Sequence, residues 1–403
     1  MIFGAPAHQA VAAGADQAGE SHRRARPTEE TEVATVAERV QQHIGRGDAA
    51  QMREARMFLR GPGTAATDIG LSTSDYLALS RDRRITAAMS EALLTPSEPE
   101  TGPLARRLAG YTHSASAVLC QSGWAANIGL LQAIAAPGVP IHVGENTHMS
   151  WRQAALAAAA PLHIFGHNDP ARLAAQIRAY GPGIIAVDAI DNTTGTPSPL
   201  TALCDVADES GSILVVDESH SLGVVGPHGA GAVVALGLTR RVPFRTASLA
   251  KAFIGRAGLV TALDPEFAPY FESVSYPAIF SSGLRSHDIA GLSATLELIR
   301  AEDGRRARLR EIAHTVRNAL ARIGFDMAGV DSHIVAVPAG TEADGRAVRS
   351  ILEAHGVLGA PFCPPATPPG RSLIRLSLHA ALTAEQVERI ITACEQVYAR
   401  YGG

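Results

Sequence analysis

Short apolar runs alternate with amphipathic stretches through the middle of the chain. The runs are rich in valine and isoleucine, which predicts buried strands. The stretches between them have helical spacing, so we predict a mostly parallel sheet covered by helices on both faces. The predicted strands are 117–120, 140–144, 162–165, 183–190, 212–217 and 243–247, and the helices between them include 124–135, 170–180 and 200–209.

The pattern changes on the carboxyl-terminal side of this α/β region. Beyond it, long helices at 289–300 and 305–323 precede short strands at 334–337 and 374–377 and helices at 345–355 and 383–398. We therefore predict four parts: a flexible arm at 1–31, a helical segment at 32–68, a large domain at 69–288 and a small α+β domain at 289–403.

Composition narrows the class of protein. A chain of 403 residues can bury a large core, and its net charge of −4 gives no electrostatic basis for binding nucleic acid or an anionic membrane. The four cysteines form no CxxC pair, and no apolar run is long enough for a signal peptide or a membrane span. We expect a cytoplasmic protein.

The choice of basic residues singles out one position. Lysine and arginine together number 35, but Lys251 is the only lysine. Arginine stays protonated, whereas lysine can lose its proton and act as a nucleophilic or basic amine. The alternative is a single surface lysine in an arginine-biased composition.

The neighbours of Lys251 favour a chemical role. The strand before Asp217 and the strand before Ser248 are expected to end at one sheet edge, which brings Asp217 and His220 near Lys251. An amine, a carboxylate for a ring nitrogen and a nearby donor suit pyridoxal phosphate (PLP). A helix N-cap for Asp217 and a core position for His220 are the structural alternatives.

A second group of residues suits the cofactor's phosphate. Ser122, Gly123 and Trp124 lie between a predicted strand and a predicted helix, where free backbone N–H groups and the helix dipole favour an anion. This pattern is weak alone, but with PLP expected we assign the phosphate to it. Three scattered histidines, His142, His163 and His167, lack a paired carboxylate, so we predict no metal site.

Several motifs in one order carry a family resemblance. They are residues 121–127 (QSGWAAN), 217–220 (DESH), 246–251 (TASLAK), 276–282 (YPAIFSS) and 362–367 (FCPPAT). Together they resemble the α-oxoamine synthases, fold-type I PLP enzymes of the aspartate aminotransferase-like fold. The nearest branch makes α-aminoketone quorum-sensing autoinducers. The resemblance extends from about residue 71 to residue 397.

The resemblance implies further cofactor contacts. His148 would stack on the pyridine ring, Ser248 would join the cofactor site, and Asn192 would replace a serine that bonds the phenolic oxygen. Ser281 and Ser282 match a stretch that reaches the phosphate across a homodimer interface.

It also implies substrate contacts. Arg375 matches an arginine that holds the substrate carboxylate, with a structural ion pair as the alternative. Ser74 stands where the family has an asparagine on that carboxylate. Residues 95–103 look shorter than the glycine-rich stretch of many members.

The implied reaction joins an acyl-CoA, or an acyl carrier protein thioester, to a small α-amino acid with loss of CO₂. Lys251 would remove the α-proton and Asp217 would keep the pyridine ring protonated. Three alternatives remain open: an aminotransferase on the same fold, a synthase of 8-amino-7-oxononanoate or 2-amino-3-ketobutyrate, and a regulatory protein on a PLP-binding fold. The last would need an appended module such as a DNA-binding domain, and we expect none.

Overall fold

The computed structural model describes residues 36, 67–95, 98–364 and 366–402. The predicted arm at 1–31 lies outside the described residues, as does the predicted segment at 32–68 apart from residues 36, 67 and 68. Within the described ranges, no helix combines the length and the apolar character needed to cross a membrane.

We number the described elements in chain order. The strands are β1 Ile69–Leu71, β2 Ser116–Cys120, β3 Ile141–Gly144, β4 Leu162–Phe165, β5 Ile184–Asp188, β6 Ile213–Asp217, β7 Phe244–Ser248, β8 Gly258–Ala262, β9 Ile334–Gly340, β10 Val357–Phe362 and β11 Ser372–Ser377. The helices are α1 Arg83–Leu94, α2 Gly102–Tyr111, α3 Gly123–Ile134, α4 Met149–Ala157, α5 Pro170–Tyr180, α6 Leu200–Ser210, α7 Ala232–Ala235, α8 Phe267–Val274, α9 Tyr276–Phe280, α10 Ser286–Ala301, α11 Asp303–Ile323, α12 Glu342–Ala354 and α13 Ala384–Tyr401.

The larger sheet has seven strands in the order β2-β8-β7-β6-β5-β3-β4. Its strands run parallel except β8, which is antiparallel to both of its neighbours. The sequence analysis did not predict β8, although all five of its residues are buried. The predicted α/β class with a mostly parallel sheet is confirmed.

Helices cover both faces of this sheet, because successive side chains of a strand point to opposite sides. In β5, Ile184 and Ala186 pack into one core with residues of α3 and α4. Ile185 and Val187 pack into another core with residues of α5 and α6. The side chain at the end of β5, Asp188, therefore follows Ala186 onto the α3 and α4 face.

The smaller sheet has the order β1-β10-β11-β9. Strand β1, which the sequence analysis assigned to the large domain, pairs in parallel with β10, so Ile69 lies opposite Val357. Strand β10 was not predicted, because Gly359 and Pro361 are both unfavourable in strands. Since β1 pairs only with residues 357–359, Pro361 lies where β10 has a single neighbour and its missing N–H costs little.

Candidate active site

The carboxyl ends of the parallel strands bring the candidate residues to one edge. Asp188 ends β5 and Asp217 ends β6, and the two residues are paired in register. Ser248 ends β7, and Lys251 follows it three residues later. His148 is the N-cap of α4, just after β3.

A cavity of about 960 Å³ opens at this edge. Five of the residues predicted from sequence line it: His148, Asn192, His220, Lys251 and Arg375. Much of the remaining wall is apolar and comes from β10, β11 and the loop between them. Its volume suits a small-molecule ligand of substantial size.

Asp217 is held by hydrogen bonds to both of its carboxylate oxygens. The backbone N–H of Ser219 donates to Oδ1 at 2.8 Å, and Asn127 Nδ2 donates to Oδ2 at 2.9 Å. Asp217 and Asn127 are both buried. The carboxylate therefore has a fixed orientation, as a partner of a protonated ring nitrogen requires.

The amine of Lys251 is half-buried in the cavity wall. Burial lowers its pKa and the charge of Arg375 lowers it further, while Asp217 acts in the opposite direction. The net shift increases the neutral fraction of the amine at any given pH, which is the form that attacks a carbonyl.

His220 shares a hydrogen bond with a residue that the sequence analysis did not assign. The hydroxyl of Tyr76 lies 2.6 Å from His220 Nδ1, and Ser74 hydrogen-bonds to Tyr76. Burial raises the pKa of Tyr76, and burial followed by the charge of Lys251 lowers the pKa of His220 well below its usual value. When the Tyr76 hydroxyl donates to Nδ1, the neutral imidazole carries its proton on Nε2 and His220 is a donor there.

His148 is oriented by the second carboxylate. Asp188 accepts from the His148 backbone N–H at 2.9 Å and from Trp151 Nε1 at 3.2 Å. Burial, followed by the nearby charge of Asp217, raises the pKa of Asp188 well above its usual value. The His148 ring also meets Trp124 edge to face, with centroids 6.0 Å apart.

The turn before α3 packs against the end of β7. Ser122 Oγ caps the helix by accepting from the Ala125 N–H at 3.1 Å. A Cβ on Gly123 would lie 2.7 Å from the Cβ of Ser248, so only glycine allows this approach. The N–H groups of Gly123 and Trp124 are in the first helical turn and have no intrahelical acceptor, which suits an anion.

Arg375 crosses from the smaller sheet to the loop after β5. Its Nη1 donates to the Asn192 carbonyl at 2.8 Å, and its guanidinium lies 4.8 Å from the Phe362 ring centroid. Its Nε is buried and has no hydrogen-bond partner among the described residues. Among the described residues, the Asn192 amide nitrogen makes two long contacts of 3.4 Å, to Asn146 and Asp188, and can turn to a ligand.

Ser74, Ser281 and Ser282 are among the predicted residues that do not line the cavity. Ser281 and Ser282 are exposed just after α9, and Ser281 donates to the Pro277 carbonyl. Ser74 reaches the site only through Tyr76. Within the described ranges, no group of three histidine, cysteine or acidic residues could hold a metal ion.

The residues that sequence reasoning left without a role are Tyr76, Asn127, Ser150, Trp151 and Ser219. Asn127 had a usable signal, because it follows Gly123 by four residues and so shares the helix face that points to the sheet edge. Tyr76 had none, since its contact with His220 joins parts of the chain 144 residues apart.

The residues present fit PLP. An amine whose pKa is lowered by burial, a fixed buried carboxylate and a glycine-dependent helix N-terminus meet at one sheet edge. These supply what the aldehyde, the ring nitrogen and the phosphate of the cofactor require.

Comparisons with known proteins agree with this fit. The family profile described as aminotransferase class I and II matches residues 66–393. The chain is 40% identical over 341 residues to a CAI-1 autoinducer synthase of Vibrio campbellii, covering 81% of this chain and 86% of that protein. It is 33% identical over 344 residues to an 8-amino-7-oxononanoate synthase of Anaeromyxobacter dehalogenans, covering 82% and 86%.

A solved structure shares the fold. A serine palmitoyltransferase from S. paucimobilis superposes with a TM-score of 0.81 at 21% identity, covering 92% of this chain and 100% of that chain. The chain therefore belongs to the class I and II aminotransferase family and, within it, to the α-oxoamine synthases, PLP-dependent enzymes that condense an acyl thioester with an amino acid.

Proposed function

We propose that this enzyme acts in the cytoplasm and condenses a medium- or long-chain acyl-CoA with a small α-amino acid. The products are an α-aminoketone, CO₂ and free CoA, and the aminoketone serves as a signal or a natural-product precursor. One observation carries the proposal: Lys251 and Arg375 line the same cavity as a group of apolar side chains from β10, β11 and the loop between them. This arrangement can bind the amino group and the carboxylate of an amino acid together with an acyl chain.

The amino acid is held at its carboxylate. Arg375 offers a planar fork whose buried Nε has no partner among the described residues, and a substrate carboxylate satisfies it. Lys251, close enough to Arg375 for the two charges to interact, then takes the proton from the α-carbon. Ser74 acts on this substrate indirectly, by orienting Tyr76.

PLP, when bound, supplies an aldehyde for amino groups and a ring that takes up the electron pair of the α-carbon. Asp217 would hold a proton on the ring nitrogen, His148 would cover the ring, and His220 Nε2 and Asn192 Nδ2 would donate hydrogen bonds to the phenolic oxygen. Ser122, Gly123, Trp124 and Ser248 hold the phosphate.

The acyl chain lies along the apolar wall. Phe362, Pro364, Pro368 and Leu373 supply that wall, and Arg371 adds a positive charge for an anionic part of the thioester donor. An acyl carrier protein could present the same thioester in place of CoA.

A homodimer completes the site. Three apolar side chains of α9 are well exposed in the single chain, Tyr276 at 62%, Ile279 at 44% and Phe280 at 78%. Such a cluster is typical of a surface that a second copy covers. Ser281 and Ser282 follow directly and would reach the phosphate of the other subunit.

The test is a product analysis with paired stoichiometry. Purified enzyme is supplied with a matrix of amino acids and acyl-CoAs, and products are identified by mass spectrometry. Thiol release should equal CO₂ from carboxyl-labelled amino acid, and both should require the two substrates together. Thiol without CO₂ would leave the condensation but remove the decarboxylation.

The alternatives give different results in the same assay. An aminotransferase would accumulate a keto acid and leave acyl-CoA untouched. A synthase of the 8-amino-7-oxononanoate type would prefer an acyl-CoA with a terminal carboxylate over the unsubstituted chain of equal length. Either result would overturn the proposed substrate assignment.

A further inference from the structure

A chain of hydrogen bonds joins His148 to Asp217 beneath the cavity. His148 Nδ1 lies 2.7 Å from Ser150 Oγ, Asn127 Nδ2 donates to Ser150 Oγ at 2.8 Å, and the same nitrogen donates to Asp217 Oδ2 at 2.9 Å. Asn127 and Ser150 are fully buried. Neither of them lines the cavity.

The direction of each hydrogen bond follows from the groups involved. An ionised carboxylate only accepts, so the Asn127 amide must present its nitrogen to Asp217. That nitrogen has two hydrogens, and the second points to Ser150 Oγ. Because Ser150 Oγ already accepts there, its own hydrogen is available for His148 Nδ1.

A second donor points at the same imidazole nitrogen. The backbone N–H of Ser150 lies 3.3 Å from His148 Nδ1. A backbone N–H can only donate, so Nδ1 is an acceptor and carries no proton in this geometry. The neutral imidazole then has its proton on Nε2.

We propose that Asn127 and Ser150 are positioning residues that fix His148 as the Nε2-protonated neutral tautomer and couple its orientation to that of Asp217. Asp217 orients Asn127, Asn127 sets the direction of the Ser150 hydroxyl, and Ser150 sets the tautomer of His148. His148 therefore presents a hydrogen-bond donor, not a base, on the side away from Ser150. This inference rests on the proposed function only for its effect on turnover, since the tautomer belongs to the protein itself.

The direct test is NMR of cofactor-free protein labelled with ¹⁵N-histidine. The His148 signals, assigned by a His148→Gln variant, should show a bare Nδ1 and a protonated Nε2 near neutral pH. Ser150→Ala keeps the backbone N–H but loses the hydroxyl, so it should shift these signals part of the way towards the average of two tautomers, and Asn127→Ala should shift them in the same direction. Ser150→Thr, which keeps the hydroxyl, should retain the wild-type pattern.

Gln132→Ala is the matched control, because Gln132 also lies on α3 and bonds α4, through the Ala157 carbonyl at 3.4 Å, but away from the site. It should leave the His148 signals unchanged. If Asn127→Ala does not fold, Ser150→Ala decides alone, since it removes a single oxygen. Unchanged His148 signals in a folded Ser150→Ala protein would overturn the proposal.

The turnover of the PLP-bound enzyme provides a second measurement. Asn127→Ala should lower kcat/KM about 10- to 100-fold, the effect of one buried hydrogen bond to a charged group. The NMR result does not depend on which product forms, so failure of the proposed condensation would leave it intact. A lost tautomer preference with an unchanged kcat/KM would overturn the positioning role in turnover and leave the assignment of the tautomer intact.

Discussion

Two sides of the cavity satisfy their polar groups in different ways. On the acidic side, Asp188 and Asp217 accept hydrogen bonds from backbone and side-chain donors of the chain itself. On the cationic side, the described part of the chain supplies no hydrogen-bond partner for the buried Arg375 Nε and no hydrogen bond or ion pair for the Lys251 amine. The acidic side is thus fixed before any ligand binds, whereas the cationic side retains binding capacity for one.

The largest effect is expected from removing the amine of the cationic side. Lys251→Arg should abolish activity as completely as Lys251→Ala, because a guanidinium stays protonated and cannot condense with an aldehyde. Borohydride reduction of the loaded wild type should attach the cofactor to the peptide containing Lys251. A cofactor label retained in Lys251→Arg would disprove the assignment.

Removing the Asp217 charge from the acidic side should leave an enzyme that still binds PLP but turns over slowly. Asp217→Asn removes the charge that stabilises a protonated ring, so kcat should fall about 10²- to 10³-fold. Cofactor content, measured by absorbance after gel filtration, should stay near that of the wild type. Asp208→Asn, a surface carboxylate paired with Arg241, serves as the control. A normal kcat in Asp217→Asn would contradict the role of this carboxylate.

Arg375→Ala should act mainly on binding. Loss of a charge-assisted contact to the carboxylate should raise KM for the amino acid about 10- to 100-fold, with a smaller change in kcat. Arg375→Lys should restore little of it, because the bidentate fork is lost. Arg371→Ala removes another charge from the same cavity and should leave this KM nearly unchanged. An unaltered amino-acid KM in Arg375→Ala would assign Arg375 to structure.

The smallest effect is a shift in a pH profile that reports on both sides. The rate of reductive methylation of Lys251 is measured against pH in the cofactor-free protein and in the urea-unfolded chain. The pH midpoint should be lower in the folded protein, because folding lowers the pKa of Lys251. Arg375→Ala should move the midpoint up and Asp217→Asn should move it down, since their charges act in opposite directions. Peptide mass spectrometry follows this single lysine. Equal folded and unfolded midpoints would contradict the shift.

The sequence predicted the parts of the site that depend on neighbours along the chain. Lys251 was found by counting, and Asp217 by its place after a buried run. The partners that orient them could not be found in this way. Tyr76 meets His220 across 144 positions and Asn127 meets Asp217 across 90, so these contacts exist only once the sheet has formed.

The fold shows the same division. The main sheet followed from repeated valine-rich runs, but β10 was missed because pairing with β1 and β11 outweighs the poor strand propensity of its glycine and proline. The division at residue 288 stays a prediction, and β1 already shows that the smaller sheet draws on residues far from its other strands.

The pairing of β1 with β10 has a consequence for synthesis on the ribosome. About 290 residues separate Ile69 from its partner Val357, and translation adds about 5–20 residues per second. Roughly 15–60 s therefore pass before β1 can pair with β10, its one strand neighbour among the described residues. During that interval Ile69 and Leu71, which are fully buried in the finished fold, have no sheet to enter. The nascent chain therefore presents an apolar strand segment to chaperones until its carboxyl-terminal quarter has been made.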